Sequence, residues 1–166
     1  RQVWAGEEII DGAGAIGPTP TQEGGPRILA GAMGPKSIAR CSQWAGGLYA
    51  WSGNGETHEL QNTFNIAEQA WAQAGRTETP YRLGGFWYTL VDDGQKKLSD
   101  YVYDYLAIAG HEIATMMAES VHRSTADAVL EGLDNAEAAG CEELFMVPAT
   151  ADLAEVERLA ELVARR

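Results

Sequence analysis

The chain has 166 residues, 45% apolar and 22% charged, which is the composition of a globular protein with one ordinary domain and a sizeable core. Its formal net charge of −12 argues against a nucleic-acid partner, because such a surface requires clustered Lys and Arg. No apolar run is long enough to span a bilayer and no signal peptide is recognisable, so we expect no membrane partner and a cytoplasmic location. Cys41 and Cys141 lack the spacing of a metal or disulfide site, and we predict no metal.

The first segment, residues 1–26, is predicted to be a long connection. It is rich in glycine and proline, and it shows no sustained apolar period. Its opening letters, RQVWAGEEII, resemble the last turn of a helix and do not begin with Met, so we expect a fragment of a larger polypeptide. The domain division predicted here is therefore a loop or helix remnant over 1–26 and four βα units over 27–166.

Four short apolar segments are predicted to be strands. They are RILAGA (27–32), GGLYAW (46–51), YRLGGFWYTLV (81–91) and ELFMVP (143–148). The apolar residues in them run on rather than alternate, which is typical of strands that are covered on both faces. In the third strand, the pair Gly84 and Gly85 predicts a bulge or a close backbone approach.

Helices are predicted after each strand. The first helix begins at Pro35, and the second spans 57–74 with Gly75 as its C-terminal cap. The third spans 96–109 and breaks at Gly110, and a shorter helix then continues through Met117. Another runs from a cap at Ser124 with Asp127 to Gly140, and the last begins at Asp152 with Glu155 in a capping-box arrangement. The apolar stripe of the last helix is Leu153, Val156, Leu159 and Val163. Strands that alternate with helices require parallel pairing and helical crossovers. We therefore predict an α/β fold, either a small open sheet or half of a TIM (βα)8 barrel.

The segment ILAGAMGPK, residues 28–36, is the main candidate site. A glycine-containing turn that leads into a helix presents unpaired N–H groups at the positive end of the helix dipole, where a phosphate can bind. The backbone amides of Gly31, Ala32, Met33 and Gly34 would be the donors, and Lys36 would add positive charge. The alternative is a tight strand-to-helix turn that needs glycine only for its shape.

Several stretches resemble the luciferase-like flavin-dependent oxidoreductases. They are GPRILAGAMGPKSIARCSQWAGGLYA, with its turn WAGGLYAW, the opening RQVWAGEEIIDGAGAIGPTP, and AEAAGCEELFMVPATADLAEVERLAELV near the end. No single motif is diagnostic, and the resemblance depends on their order and spacing. Gly46 stands where the family usually has Asp. The resemblance covers nearly the whole chain but only the carboxyl-terminal half of a family member.

This resemblance implies an enzyme, a flavin-dependent oxidoreductase or monooxygenase of which the chain is the carboxyl half. It implies half of an eight-stranded βα barrel, with FMN at the carboxyl ends of the strands and its phosphate at Gly31, Ala32, Met33, Gly34 and Lys36. GAMGPK also resembles the loop of deazaflavin enzymes, so an 8-hydroxy-5-deazaflavin coenzyme is the alternative. The expected partners are a small-molecule substrate and either a second copy, as in a dimer, or the missing N-terminal half.

Other residues carry weaker hypotheses. None of the three histidines is assigned a catalytic role, and His122 with Arg123 is expected on a polar face. Trp44, Trp51, Phe86 and Trp87 are expected in the core and barrel lining, while Trp51, Ser52 and Tyr88 at strand ends are candidate pocket residues. Tyr101, Tyr103, Tyr105, Met116 and Met117 predict helix packing or an interface. Two alternatives stay open: a non-catalytic half-barrel that self-associates, and an independent α/β sheet that binds a phosphorylated metabolite.

Overall fold

A computed structural model describes residues 2–12, 14 and 17–166 of the chain. Four strands form one sheet in the order β1-β2-β3-β4, and every neighbouring pair is parallel. The strands are β1 Leu29–Gly31, β2 Gly47–Trp51, β3 Tyr81–Tyr88 and β4 Glu143–Pro148. The predicted α/β fold with parallel strands and helical crossovers is confirmed. Residues 1, 13, 15 and 16 of the predicted connection 1–26 lie outside the described residues.

Six α-helices connect and follow these strands in the described part of the chain. They are α1 Pro35–Cys41, α2 Thr57–Gln73, α3 Gly94–Leu106, α4 His111–Ser120, α5 Ala126–Ala138 and α6 Leu153–Ala164. Short 3₁₀ turns occupy Val3–Ala5 and Ala107–Ala109. Helix α2 ends as predicted, because Gly75 adopts a φ of +74°, the left-handed conformation that terminates many helices. Of these helices, none is long and apolar enough to cross a bilayer.

The two faces of the sheet have different partners. On the outer face, Leu48 and Ala50 of β2 and Phe86 and Tyr88 of β3 are buried in clusters with side chains of helices α1, α2, α5 and α6. The intervening residues of each strand point to the inner face, since successive side chains alternate. Thus the helices cover one face, and the opposite face is left to the segments at the carboxyl ends of the strands.

The connection from β3 to β4 is longer than a simple crossover. Helix α5 packs on the outer face, whereas α3 and α4 contact each other and pack near the carboxyl ends of β2 and β3, with Leu98 and Val102 buried beside Trp87. Gly110 separates α3 from α4 with a φ of +105°, as the predicted break requires. We call α3, the 3₁₀ turn Ala107–Ala109 and α4 the insertion.

Of the two forms predicted for Gly84 and Gly85, the close approach is found and the bulge is not. The register of β3 with β2 and β4 is continuous through both, and the side chains of Cys141 and Tyr49 lie against the two glycines. Two other local predictions are wrong. The cap of α5 is Thr125, whose hydroxyl accepts a hydrogen bond from the Ala128 amide, rather than Ser124. Glu155 makes no capping box: its buried carboxylate accepts a hydrogen bond from the Leu90 amide.

Candidate functional site

A cavity of about 590 Å³ lies at the carboxyl edge of the sheet. The end of β1 and the following loop form one side of it through Gly31, Ala32 and Met33. The carboxyl ends of parallel strands are where barrel enzymes place their active sites. The structure therefore brings three of the five predicted site residues into one cavity, while Gly34 ends the loop and Lys36 lies on the first turn of α1, both beyond the cavity lining.

The inner face of the sheet supplies the floor of this cavity. Tyr49 and Trp51 come from β2, Trp87 from β3 and Val147 from β4. The rings of Tyr49 and Trp51 meet edge to face with centroids 6.0 Å apart, and those of Trp51 and Trp87 do so at 4.6 Å. Aromatic pairs favour such edge-to-face contacts, which hold rings in fixed positions.

The insertion supplies the opposite wall. Its lining side chains are Tyr101, Tyr105 and Leu106 of α3 and Ile113 and Met117 of α4. The ring of Tyr105 contacts that of Trp87 at 5.9 Å and stacks on that of Tyr101 at 6.1 Å. Tyr101, Tyr105 and Met117 were expected only in helix packing or an interface. One signal in the sequence could have located them. They lie in the insertion, which makes the connection from β3 to β4 longer than a βαβ crossover needs, and such extra segments often carry function.

The end of β1 and the loop after it contain glycines that the local backbone shape does not require. A Cβ at Gly31 would meet no atom within 4 Å, and one at Gly34 would only approach the Ser37 hydroxyl at 3.8 Å. Gly34 has a φ of −104°, which any residue adopts. The alternative explanation, a tight turn that needs glycine for its shape, is therefore not favoured at either position. The backbone at Gly31 and Gly34 faces open space.

The donors of this loop are only partly used. The Gly34 amide donates to the Ser37 hydroxyl at 3.3 Å, and that hydroxyl donates back to the Gly34 carbonyl at 2.8 Å. Internal capping thus takes one of the four predicted amides. Met33 is 81% exposed, and Lys36 is also exposed on the first turn of α1. The loop is accessible to a ligand from solvent and from the cavity.

Tyr49 occupies space that a glycine provides. A Cβ at Gly85 of β3 would collide with the Tyr49 hydroxyl, so Gly85 allows the phenol to lie flat across the inner face. Burial raises the pKa of Tyr49, and the neighbouring Tyr105 adds to this shift. The phenol therefore stays protonated at neutral pH and is able to donate a hydrogen bond.

Arg123 is a structural residue that sequence reasoning misplaced on a polar face. Its side chain is fully buried and reaches the loop after β2, where Nε donates to the Asn54 carbonyl at 2.6 Å and Nη2 pairs with Glu56 at 3.1 Å. Its Nη1 also pairs with Glu131 of α5 at 2.6 Å. This arginine fixes the end of the insertion against the β2–α2 loop.

Other predicted residues lie elsewhere. Of the three strand-end candidates, only Trp51 lines the cavity, because Ser52 is buried in a hydrogen bond with Glu59 and Tyr88 faces the helices. Trp44, expected in the core, is 54% exposed. His111 is exposed and bonds through Nδ1 to the Tyr103 hydroxyl at 2.9 Å. Over residues 2–12, 14 and 17–166, no group of three or more His, Cys, Asp or Glu side chains is placed to hold a metal ion.

Comparison with known proteins supports the fold. An F420-dependent secondary alcohol dehydrogenase in complex with an F420-acetone adduct matches with a TM-score of 0.65 and 15% identity, over 88% of this chain and 50% of that one. The coenzyme F420-dependent tetrahydromethanopterin reductase from Methanopyrus kandleri matches with a TM-score of 0.61 and 14% identity, over 99% of this chain and 58% of that one. EDTA monooxygenase from Chelativorans sp. BNC1 matches with a TM-score of 0.60 and 12% identity, over 96% of this chain and 52% of that one.

These neighbours are luciferase-like oxidoreductases and monooxygenases, as the sequence resemblance implied. No protein-family model and no curated protein sequence matches the chain. The chain spans between half and three fifths of the length of the solved structures it resembles. It therefore has the fold of about half of a βα barrel.

Proposed function

We propose that the chain is half of a flavin- or deazaflavin-dependent oxidoreductase of the luciferase-like family. The observation that carries this proposal is the junction of two features at one sheet edge. A glycine loop with open backbone follows β1, and the aromatic cavity begins at the same residues, Gly31 to Met33. A cofactor with a phosphate tail and a planar ring needs both.

The loop residues fit the cofactor phosphate. The amides of Ala32 and Met33 and the exposed ammonium of Lys36 are the donors we assign to it, and Gly31 and Gly34 leave the backbone uncovered. A side chain at either glycine would project into the space that the anion needs. FMN is the first candidate, and the 8-hydroxy-5-deazaflavin coenzyme is the alternative, which two neighbours described as F420-dependent favour.

The bound cofactor would supply hydride or electron transfer, which protein side chains do not perform. The chain's own contribution is to position the cofactor and to exclude water from it. The rings of Trp51, Trp87 and Tyr105 form an apolar wall against which a planar ring is held, and the insertion covers the carboxyl edge of the sheet. The Tyr49 phenol is a protonated hydrogen-bond donor on the floor.

Titration with FMN and with riboflavin tests the phosphate site. We expect FMN to bind about tenfold more tightly than riboflavin at low salt, because only FMN reaches the loop donors and Lys36. Lys36→Gln should remove most of this difference, and the deazaflavin coenzyme is titrated in parallel to choose between the cofactors. The readout is quenching of flavin fluorescence, confirmed by calorimetry.

Lys97→Gln is the matched control, since Lys97 is exposed on α3 and does not line the cavity. It should leave both affinities unchanged. If FMN and riboflavin bind equally to the native chain, the assignment of the loop to a phosphate is wrong. If neither flavin nor the deazaflavin coenzyme binds, this chain does not bind the cofactor by itself.

A second candidate function, a self-associating half-barrel module, is favoured by the exposed edges and faces of the sheet. In the described chain β1 and β4 each pair on one side, which leaves a row of unsatisfied backbone groups on the other. Phe145 on the inner face of β4 is 49% exposed, and Leu153 and Val156 of the α6 stripe are exposed too. We infer that these surfaces contact further βα units, from a second copy or from an N-terminal half.

Sedimentation equilibrium of the chain tests this candidate. A dimer mass that persists at micromolar concentration supports self-association through these surfaces, and Phe145→Glu should lower the dimer fraction. Tyr103→Phe is the control, since Tyr103 is half-buried on α3 and is not part of these surfaces. A monomer at every concentration contradicts self-association.

A further inference from the structure

The loop after β2 contains an Asn-Gly pair at residues 54 and 55. The chain has four asparagines, and only Asn54 is followed by glycine, whereas the others precede Thr63, Ile66 and Ala136. An asparagine side chain reacts with the next backbone nitrogen most readily when that next residue is glycine, because no Cβ shields the nitrogen. Asn54 is therefore the asparagine of this chain whose side-chain amide is most easily lost.

The Asn54 side chain joins this loop to the end of the insertion. Its Nδ2 donates to the Ser120 carbonyl at 3.0 Å, and its Oδ1 accepts from the His122 amide at 2.9 Å. Ser120 is the last residue of α4, and the last carbonyls of a helix have no partner within the helix. Asn54 therefore caps α4 from a loop that lies 66 positions earlier in the chain.

A carboxylate at position 54 would make this contact repulsive. An oxygen in place of Nδ2 has no proton to donate, and it would face the Ser120 carbonyl oxygen at the negative end of the α4 dipole. His122 Nδ1 also lies 3.3 Å from that carbonyl, but it belongs to the same segment and does not join it to the loop. The nearby guanidinium of Arg123 is already paired with Glu56 and Glu131. Loss of the amide therefore removes a cap and adds a repulsion.

The docked insertion restrains the groups that would react. Both polar atoms of the Asn54 side chain are hydrogen-bonded to residues 120–122, and the Gly55 amide donates to the Ser52 carbonyl at 3.4 Å. Ring closure requires the side chain to leave its two partners and turn back toward the Gly55 nitrogen. Local opening of the contact must therefore precede the reaction.

We propose that Asn54 is a modification site at which spontaneous deamidation releases the insertion from the β2–α2 loop. The Gly55 backbone nitrogen forms a bond to Cγ of Asn54, and the side-chain nitrogen leaves as ammonia with the proton of the Gly55 amide. Water then opens the resulting succinimide at either carbonyl, which gives aspartate or isoaspartate. In isoaspartate the main chain runs through Cβ and Cγ, and this longer path displaces both side-chain contacts.

The contact lies close to the cavity at the carboxyl edge. A Cβ at Gly53 of the same loop would be 3.5 Å from the Met117 side chain and 3.8 Å from that of Trp87, and both residues line the cavity. Release of the insertion therefore loosens one wall of the cavity. The inference does not depend on the proposed function, because the reaction requires only the chain and water.

Incubation of the 166-residue chain in mildly alkaline buffer tests the reaction. Peptide mass spectrometry follows conversion at Asn54 in the folded chain and in the chain unfolded by urea. We expect conversion in the folded chain to be slower by about tenfold or more, because the contact must open first. The pairs Asp11-Gly12 and Asp93-Gly94 are distinguished from Asn54, since aspartate isomerises without loss of ammonia and without a change in mass. The proposal is overturned if both states convert equally fast, or if the unfolded chain alone converts.

Asn54→Asp reproduces one product and tests the release. We expect the amides of residues 117–120, the last turn of α4, to exchange hydrogen about tenfold faster, with exchange in α2 and β3 unchanged. Asn62→Asp makes the same change of charge at an exposed position of α2 and should leave exchange in α4 unchanged. Native exchange rates in α4 of Asn54→Asp contradict the release. An equal increase in every helix and strand contradicts it too, because the effect would then be a general loss of stability.

Discussion

The loops after β1 and β2 lie at the same edge of the sheet, yet they are built in opposite ways. The loop after β2 is fixed by side chains: Ser52 bonds to Glu59 and to the Glu56 amide, and the buried Arg123 holds both Asn54 and Glu56. The loop after β1 is held by a side chain only at Gly34, whose amide donates to the Ser37 hydroxyl and whose carbonyl accepts from it. Both loops contain glycine, but only the loop after β2 needs glycine for its shape.

This difference separates structural glycine from glycine that is free for a ligand. Gly55 in the loop after β2 has a φ of +65°, and a Cβ there would contact the Phe86 ring at 2.6 Å. Gly31 and Gly34 have neither constraint, since a Cβ would enter open space. A rigid loop beside an open one at the same edge gives a site that is positioned by the first and accessible through the second.

The largest effect is expected from Arg123→Met, which breaks the rigid loop. We expect a loss of about 3 kcal/mol in the free energy of unfolding, because the Asn54 carbonyl and the Glu56 carboxylate lose a buried partner. Urea unfolding followed by tryptophan fluorescence measures it. Arg166→Met removes an arginine from surface pairs with Asp134 and Glu137, and it should cost below about 1 kcal/mol. Equal losses for the two variants would contradict the role of Arg123.

A smaller effect is expected from Gly55→Ala. The variant combines a left-handed backbone with a collision against Phe86, and we expect a loss of about 2 to 3 kcal/mol. Gly75→Ala carries the same backbone cost at a φ of +74° with nothing within 4 Å of the added Cβ, so it should lose only about 1 kcal/mol. The difference between the two measures the collision. If both variants lose the same amount, Phe86 does not constrain Gly55.

The smallest effect on stability is expected in the open loop. Gly31→Ala and Gly34→Ala should change the free energy of unfolding by less than about 0.5 kcal/mol, or stabilise the chain slightly through a more restricted unfolded state. The same variants should weaken FMN binding, since a Cβ fills the space above the amides. A loss of stability comparable with that of Gly55→Ala would show that these glycines serve the fold and that the phosphate hypothesis has no basis in them.

Sequence reasoning predicted the elements well where one periodicity dominates. The α2 pattern and Gly75, the β4 segment and the break at Gly110 appear within a residue or two of their predicted positions. Sequence reasoning failed where a charged side chain is able to lie either at the surface or in the interior. Arg123 and Glu155 were assigned to surface or cap roles by residue type, and both are buried because partners distant in the sequence, such as Asn54 and Leu90, satisfy them.

The candidate site was predicted in part for the same reason. The loop after β1 is contiguous in sequence, so its glycines and Lys36 were visible as one pattern. The aromatic wall is assembled from β2, β3 and the insertion, and no spacing in the sequence relates Tyr49 to Tyr105. The insertion was predicted as two helices, but their position over the carboxyl edge was not.

The sequence by itself determined the parallel α/β architecture, because strands that alternate with helices leave few other ways to pair. It also determined a glycine loop before α1. Only the tertiary structure decided that the glycines of this loop are not needed for its shape, that Arg123 is buried and that five aromatic rings line one cavity. Those properties depend on contacts between residues far apart in the chain, and such contacts exist only once the backbone has brought the residues together.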